Sequence, residues 1–466
     1  MTDLSSASKP SQQKTIAIFG AGMAGLSAAS ELAKKGYHVD VYEQNPQIAG
    51  LAATFKDDDG FMYDNGPRFI FSSLAKKIGI LDQCFKVKYY EHLYVKERFY
   101  EFPFGFVKNP LYCLSAGSAM VLRNFKPSAK NLQQYLYQYY GKYFSKSVLQ
   151  PLIEKWAGMP AQNMSLDFAS RLLPTNIKYI LHQIMRKVRK GITKDYFRED
   201  RYIVYPKQTN ALIFETLANT PGVHVHLNHK LEHLEIDNKK ITSATVNGKK
   251  ITADAYLSTI PINHLAHQLK KNGIDSAWDK LHYRGIVILF IKLRQKQVLQ
   301  GLWSWFPEDK YAFYRVSEFK NALAHMAPKD KTLIAVEFAC QEEDQLFNMN
   351  ADQLLDQCFN DLNKIYGLDR EKIIGLSLNR SPQAYPVLSQ KNKEIFSYID
   401  HVTPVNNLFI AGRTGTFQYR MLERTHESGL EAAKYLENFL EEKNIHTLKN
   451  SKQSYDQYGR PNIIPE

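Results

Sequence analysis

The run Thr15-Ile16-Ala17-Ile18-Phe19-Gly20-Ala21-Gly22-Met23-Ala24-Gly25 constrains this chain more than any other. Its first five residues are apolar or nearly so, without polar alternation, which predicts a strand buried on both faces. The strand runs directly into G-x-G-x-x-G, where each glycine has its own use. Gly20 allows a tight turn, Gly22 lets backbone N–H groups approach a pyrophosphate, and Gly25 lets the next helix lie close to the strand. That helix is expected over Leu26 to Lys35, closed by Gly36, with its positive end toward the phosphates. Ala21, Met23 and Ala24 complete the loop. Glu43 ends the following strand, 18 residues after Gly25, with Gln44 beside it. Its carboxylate suits ribose hydroxyls and disfavours a 2′-phosphate, so NADP is not expected here. The competing reading is a strand–helix turn without a ligand. The complete strand, turn, helix and acid context favours dinucleotide binding.

The chain has 466 residues, enough for about three domains or two large ones. Strand-and-helix alternation recurs at both ends and in the middle. This predicts an α/β fold whose nucleotide domain is discontinuous and carries a large insertion. The expected divisions are a disordered 1–14, nucleotide segments 15–75, 203–262 and 399–440, a helical insertion 76–202, a sheet-rich insertion 263–398, and a loose tail 441–466. Lys plus Arg number 60 and Asp plus Glu 47, a net charge of +13. That surplus admits a nucleic acid, an anionic membrane or an acidic small molecule as partner. The four cysteines, Cys84, Cys113, Cys340 and Cys358, form no C-x-x-C pair, so reduced thiols in a cytosolic compartment are expected. The polar N-terminus has no signal-peptide core, and no apolar run approaches the ~20 residues of a membrane span. No histidine pair has credible metal spacing, and no metal is expected.

Further motifs identify the cofactor. After Glu43 come Gln47-Ile48-Ala49-Gly50-Leu51-Ala52-Ala53-Thr54 and Tyr63-Asp64-Asn65-Gly66-Pro67-Arg68-Phe69. Near the C-terminus stand Leu408-Phe409-Ile410-Ala411-Gly412-Arg413 and Glu427-Ser428-Gly429-Leu430-Glu431-Ala432-Ala433. Tyr205-Pro206-Lys207, Ser258-Thr259-Ile260-Pro261 and Ala384-Tyr385-Pro386 extend the set over nearly the whole chain. It resembles the flavin amine oxidase superfamily, which includes protoporphyrinogen oxidases, carotenoid desaturases, amine oxidases and, more distantly, UDP-galactopyranose mutases. Gly412-Arg413-Thr414-Gly415-Thr416-Phe417 is most similar to the protoporphyrinogen-oxidase-like and mutase-like branch. The resemblance implies a Rossmann-like FAD domain of the glutathione-reductase type with an inserted mixed α+β substrate domain. It implies that Gly50, Leu51 and Ala52 line the pyrophosphate and ribityl path, and that Gly66, Pro67 and Arg68 lie near the flavin ring. Leu231 would bring backbone to the adenine. Gly412 and Arg413 would meet the pyrophosphate and ribityl region, and Met421, Leu422, Ser428 and Gly429 the pyrimidine end. Ala49 departs from the glycine common there, which is tolerable unless its φ is positive.

No cysteine falls within 405–435, where covalent amine oxidases carry one, so non-covalent FAD is expected. No second complete fingerprint follows, so no separate nicotinamide domain is apparent. The resemblance implies an FAD-dependent oxidoreductase removing hydride from a small organic substrate, anionic or apolar; the alternative is mutase-like chemistry on a nucleotide-sugar without net redox change. Candidate catalytic residues are Arg68, Arg315, Tyr385, Tyr419 and Arg420. Trp303, Trp305 and Glu337 are further candidate contacts, although core packing is the better reading of the tryptophans. Residues 171–201 carry nine basic and three acidic side chains, with an apolar face from Ile177 to Val188. Such a segment suits a peripheral membrane contact or docking on its own domain equally well. Nucleic-acid binding finds no recognisable module.

Overall fold

In the computed structural model, residues 13–68, 70–101, 109–172 and 202–443 are described. Five strands form a parallel sheet in the order Leu408–Ile410, Ala255–Ser258, Thr15–Phe19, His38–Tyr42 and Val223–His226. The strand Thr15–Phe19 is central, and its side chains alternate between two cores. Ile16 and Ile18 join the core made with the helices Met23–Lys34, Ala211–Ala218 and Leu422–Leu440. Ala17 and Phe19 join the core on the other face, with Leu234, Ile241 and Ala244 of an antiparallel sheet built from Leu231–Asp237, Lys240–Val246 and Lys249–Ile251. Burial on both faces explains the unbroken apolar run in the sequence. The five strands come from three separate stretches of chain, and the result is a mixed α/β fold.

A second sheet has seven strands, in the order Ile373–Pro386, Tyr283–Leu293, Thr332–Cys340, Arg315–Glu318, Trp303–Trp305, Glu91–Val95 and Arg98–Glu101. Its pairs are antiparallel except Trp303–Trp305 with Glu91–Val95. The strand Tyr283–Leu293 again serves two cores. Ile286, Ile288 and Phe290 face Trp156 and Tyr314, whereas Val287, Leu289 and Ile291 face the helix Ala351–Tyr366 through Leu354, Leu355, Cys358 and Leu362.

Two expectations need correction. The stretch 76–202, read as mostly helical, also supplies strands: two extend the seven-stranded sheet, and Cys84–Lys88 pairs with Tyr202–Pro206. Charged residues blur their alternation, and partners remote in sequence decide the conformation. The candidate Tyr385 lies in the strand Ile373–Pro386 opposite Arg284. The first helix starts at Met23 rather than Leu26, because extended Gly22 is already its N-cap. Residues 1–12, 173–201 and 444–466 lie outside the described residues, and with them the basic segment, most of the N-terminal stretch and most of the tail. Among the described residues no helix is long and apolar enough to cross a membrane.

Candidate functional site

The fingerprint glycines divide by what surrounds them. Gly20 turns at φ 108°, a conformation that disfavours any side chain. A Cβ on Gly25 would stand 2.0 Å from the Gly20 carbonyl oxygen, so helix and strand touch there. Gly22 is extended at φ −80°, and a Cβ on it would meet no atom within 4 Å. No side chain caps the helix that follows. A Cβ on Gly50 would lie 3.7 Å from the Gly22 Cα, so the 3-10 turn Gly50–Ala52 faces the fingerprint.

Buried Glu43 accepts the Ala21 N–H at 2.9 Å through one oxygen, and the Asn45 N–H and Nδ2 at 3.0 and 2.7 Å through the other. A carboxylate has about four acceptor sites, so capacity remains for ribose hydroxyls. Gln44 is exposed beside it. The His229 N–H donates to the Glu43 carbonyl at 2.7 Å, which brings the start of the Leu231 strand to this end of the fingerprint.

The helix Leu422–Leu440 crosses the first helix at Gly429, where a Cβ would lie 2.3 Å from the Ala24 carbonyl oxygen. Ser428 Oγ accepts the Gly412 N–H at 3.0 Å. Ser428 and Gly429 thus hold the two helices and the Gly412 turn together. Leu422 begins its helix seven residues before this crossing, about 10 Å along the axis at 1.5 Å per residue. Half-exposed Met421 provides no side-chain cap there. Two helix N-termini without side-chain caps therefore follow the carboxyl ends of two parallel strands, where open α/β sheets bind ligands.

Ala49 adopts φ 82°, the left-handed region, while its N–H donates to the Ala21 carbonyl at 2.9 Å. The condition set on this alanine fails, and the residue is strained by about 1 kcal/mol. Ala49→Gly is expected to raise the unfolding free energy by about 0.5 kcal/mol in urea titrations, the rest of the relief being offset by the freer unfolded chain. Equal or lower stability would contradict this.

The same helix crossing buries His426, whose Nδ1 meets Ser27 Oγ at 2.8 Å. Burial, and then Lys77, pushes its pKa down to about 4. The unfolded chain takes up the proton near pH 6.5 and the folded chain only near 4. The stability is therefore present above pH 6.5 and is lost as pH falls through 4, by about 3 kcal/mol. Asp64 acts in the opposite sense, because burial pushes its carboxyl up to about 6. Its contribution is present below the ordinary carboxylate value and is lost as pH rises through 6. Denaturation of wild type and His426→Gln between pH 7 and 4 isolates the histidine: the wild-type advantage should shrink by about 3 kcal/mol, and a constant gap would refute it.

Asp64 begins the second half of the site. It is fully buried and accepts from Thr54 Oγ1 at 2.6 Å, Asn210 Nδ2 at 2.7 Å and the Tyr205 hydroxyl. Gly66 turns at φ 82°, and a Cβ on it would lie 3.6 Å from both Arg315 Nη2 and Glu337 Oε2. Arg315 and Glu337 are directly opposed in the antiparallel sheet. Arg315 donates from Nε to Oε1 at 2.7 Å and from Nη2 to Oε2 at 2.6 Å, and the Tyr314 hydroxyl donates to Oε2 at 2.7 Å. Although burial opposes it, buried Glu337 holds the Arg315 guanidinium above its ordinary pKa. Arg315, read as a substrate contact, has its charge neutralised in place.

Arg68, after Pro67, donates from Nη2 to the Leu51 carbonyl and to the Asn65 carbonyl at 3.2 Å, whereas its buried Nε has no hydrogen-bond partner. Burial and neighbouring Arg413 push its pKa below the ordinary value. Arg413 donates to the Arg420 carbonyl at 2.9 and 2.6 Å and lies 4.7 Å over the Tyr419 ring and 5.4 Å over Tyr385. Tyr385 and Tyr419 stack at 5.6 Å, and Trp156 contacts them at 4.4 and 5.5 Å. Among the described residues neither Arg68 nor Arg413 pairs with a carboxylate within ion-pair distance. Arg420 donates to Gln418 at 2.7 Å. Trp303 is buried core, and Trp305 packs beneath Arg315, both indoles donating to Glu91.

Sequence reasoning missed Trp156. Its helix Gln150–Ala157 has ordinary amphipathic spacing, which does not separate a site residue from a core residue. Among the described residues no three His, Cys, Asp or Glu side chains gather as a metal would require. The open approach to Gly22, the uncapped helix starts, the remaining capacity of Glu43 and the orphaned Arg68 Nε fit a bound dinucleotide.

Comparison with known proteins gives the family and the fold. The family model for flavin containing amine oxidoreductase matches residues 23–436, and the chain belongs to that family. It is 47% identical over 55 residues to 4,4′-diapophytoene desaturase of Staphylococcus haemolyticus, a match spanning 12% of this chain and only 11% of that relative. A reduced UDP-galactopyranose mutase superposes with TM-score 0.73 at 19% identity, covering 94% of this chain and 98% of the other. A protein assigned as a protoporphyrinogen oxidase from Exiguobacterium sp. 255-15 superposes with TM-score 0.70 at 16% identity, covering 93% and 100%. At these identities the structural likenesses concern the fold.

Proposed function

We propose that this protein is an oxidoreductase that binds FAD non-covalently and removes hydride from an organic substrate. The observation that carries this reading is the uncapped helix N-terminus open at Gly22, with a second uncapped helix start at Leu422, in a chain of the flavin containing amine oxidoreductase family. When bound, FAD supplies the two-electron acceptor that no protein side chain provides. In this reading residues 15–75, 203–262 and 399–440 hold the cofactor, and residues 76–202 and 263–398 shape the substrate side. The loop Gly20 to Gly25 receives the pyrophosphate, Glu43 the ribose, and the backbone at Leu231 the adenine. Gly50 to Ala52, Gly66 to Arg68 and Gly412 follow the cofactor toward the start of the helix at Leu422. Trp156, Tyr385 and Tyr419 present an aromatic wall to the substrate, and Arg68 and Arg413 keep it cationic. The aromatic wall suits an apolar or planar substrate, consistent with the desaturase relative. None of the four cysteines lies between 405 and 435, which supports non-covalent attachment.

Anaerobic mixing of the purified flavoprotein with candidate polyenes, porphyrinogens and amines tests the chemistry. Bleaching of the flavin by one class, with release of its dehydrogenated product, is expected. Activity that requires prereduced flavin and gives no net oxidation would contradict it.

A further inference from the structure

The helix Pro110–Leu122 is unusual for a folded chain. Asn109 caps its start by accepting the Leu111 N–H at 3.1 Å, and Pro110 opens its first turn. Its thirteen residues read Pro-Leu-Tyr-Cys-Leu-Ser-Ala-Gly-Ser-Ala-Met-Val-Leu, yet only Tyr112 and Ala119 are buried. Leu111, Leu114, Val121 and Leu122, with Phe125 in the 3-10 turn Arg123–Phe125 that follows, are among the most exposed large apolar side chains described, Leu114 at 70% and Phe125 at 83%. At 100° per residue these five positions fall within an arc of about 100°. They form one ridge about 20 Å long, facing away from the residues that anchor the helix.

The stretch of chain that carries this ridge is charged with one sign; the Glu308 carboxylate acts on Tyr112, on the anchored side of the helix. Between Glu101 and Glu154 the sequence contains six basic residues, Lys108, Arg123, Lys126, Lys130, Lys142 and Lys146, and no acidic one. Lys126, Lys130, Lys142 and Lys146 are exposed, and none lies within ion-pair distance of a carboxylate among the described residues. A second copy of this chain would bring a second cationic rim against the first. A bilayer with anionic headgroups complements both features, since acyl chains take up the leucines and phenylalanine while headgroup phosphates meet the lysines.

We infer that the ridge Leu111–Phe125 is a membrane-docking surface for anionic bilayers, which the protein meets without spanning them. This ridge is separate in sequence from the basic segment 171–201, nearly all of which lies outside the described residues, and the inference does not depend on the identity of the flavin substrate.

Cosedimentation of the full-length holoenzyme with phosphatidylcholine vesicles, and with vesicles containing phosphatidylglycerol, tests it. Binding is expected only with phosphatidylglycerol, and it should weaken in high salt. The double variant Leu114→Ser/Phe125→Ser should bind at least about tenfold more weakly with flavin content unchanged, because both side chains already lie in water. Lys126→Gln/Lys130→Gln should weaken binding about fivefold per lysine. Three results would overturn the inference: no binding to anionic vesicles, binding unaffected by the Leu114/Phe125 variant, or loss of binding on neutralising only Lys187, Arg189 and Lys190. A Leu114/Phe125 variant that turns a dimer into a monomer without affecting vesicle binding would instead assign the ridge to a second copy.

Discussion

Gly22→Val should fold like wild type and purify without flavin. Gly22 is extended, a conformation valine favours, and a Cβ there meets no atom within 4 Å. The added methyls would occupy the approach to the first helix, where the account places the pyrophosphate. Gly25→Ala should fail differently. Its Cβ would be forced to 2.0 Å from the Gly20 carbonyl, and backbone cannot yield as a flexible side chain can. Circular dichroism and flavin content, measured on both, separate binding from folding. A flavin-loaded Gly22→Val protein would remove the fingerprint from the site.

The second large effect concerns Glu337. Glu337→Ala would leave the largely buried Arg315 guanidinium against Trp305 and Tyr314 without its counter-charge. Removing one partner of such a pair costs about 3–5 kcal/mol. Gly66 lies against both partners, so the turn Asn65 to Arg68 should loosen and flavin affinity should fall with stability. The double variant Arg315→Met/Glu337→Leu should recover most of the stability, since two apolar side chains need no compensation. Urea denaturation of Glu337→Ala and of the double variant measures this recovery; equal losses in the two would contradict the pairing.

The sequence makes local features legible and hides those that depend on distant pairing. The strand Thr15–Phe19, the glycine loop and Glu43 lie close together in the chain, and each position has one physical demand. The turn at Gly412 and the helix beyond it are legible for the same reason. The opposition of Arg315 and Glu337 arises from sheet register across 22 residues, which composition does not encode, so the arginine looked available for substrate. Trp156 reaches Tyr385 and Tyr419 only through the fold, and its own helix reads as an ordinary amphipathic one. The strands between Cys84 and Glu101 carry lysine and glutamate at positions that break a regular apolar alternation. The positive φ of Ala49 is invisible in a sequence, since the residue type argues against it. The helix Pro110–Leu122 has the composition of a core helix, and only its exposure shows that no core among the described residues takes up its outer face.

The central claim is that two helix N-termini and the Gly22 opening hold FAD. Its most direct measurement is the identity and amount of flavin released by heat or acid from the purified protein, after incubation with excess FAD and desalting. FAD itself is expected, about one per chain, released without proteolysis as a non-covalent ligand. A protein that stays colourless after that incubation, while folded by circular dichroism, would contradict it.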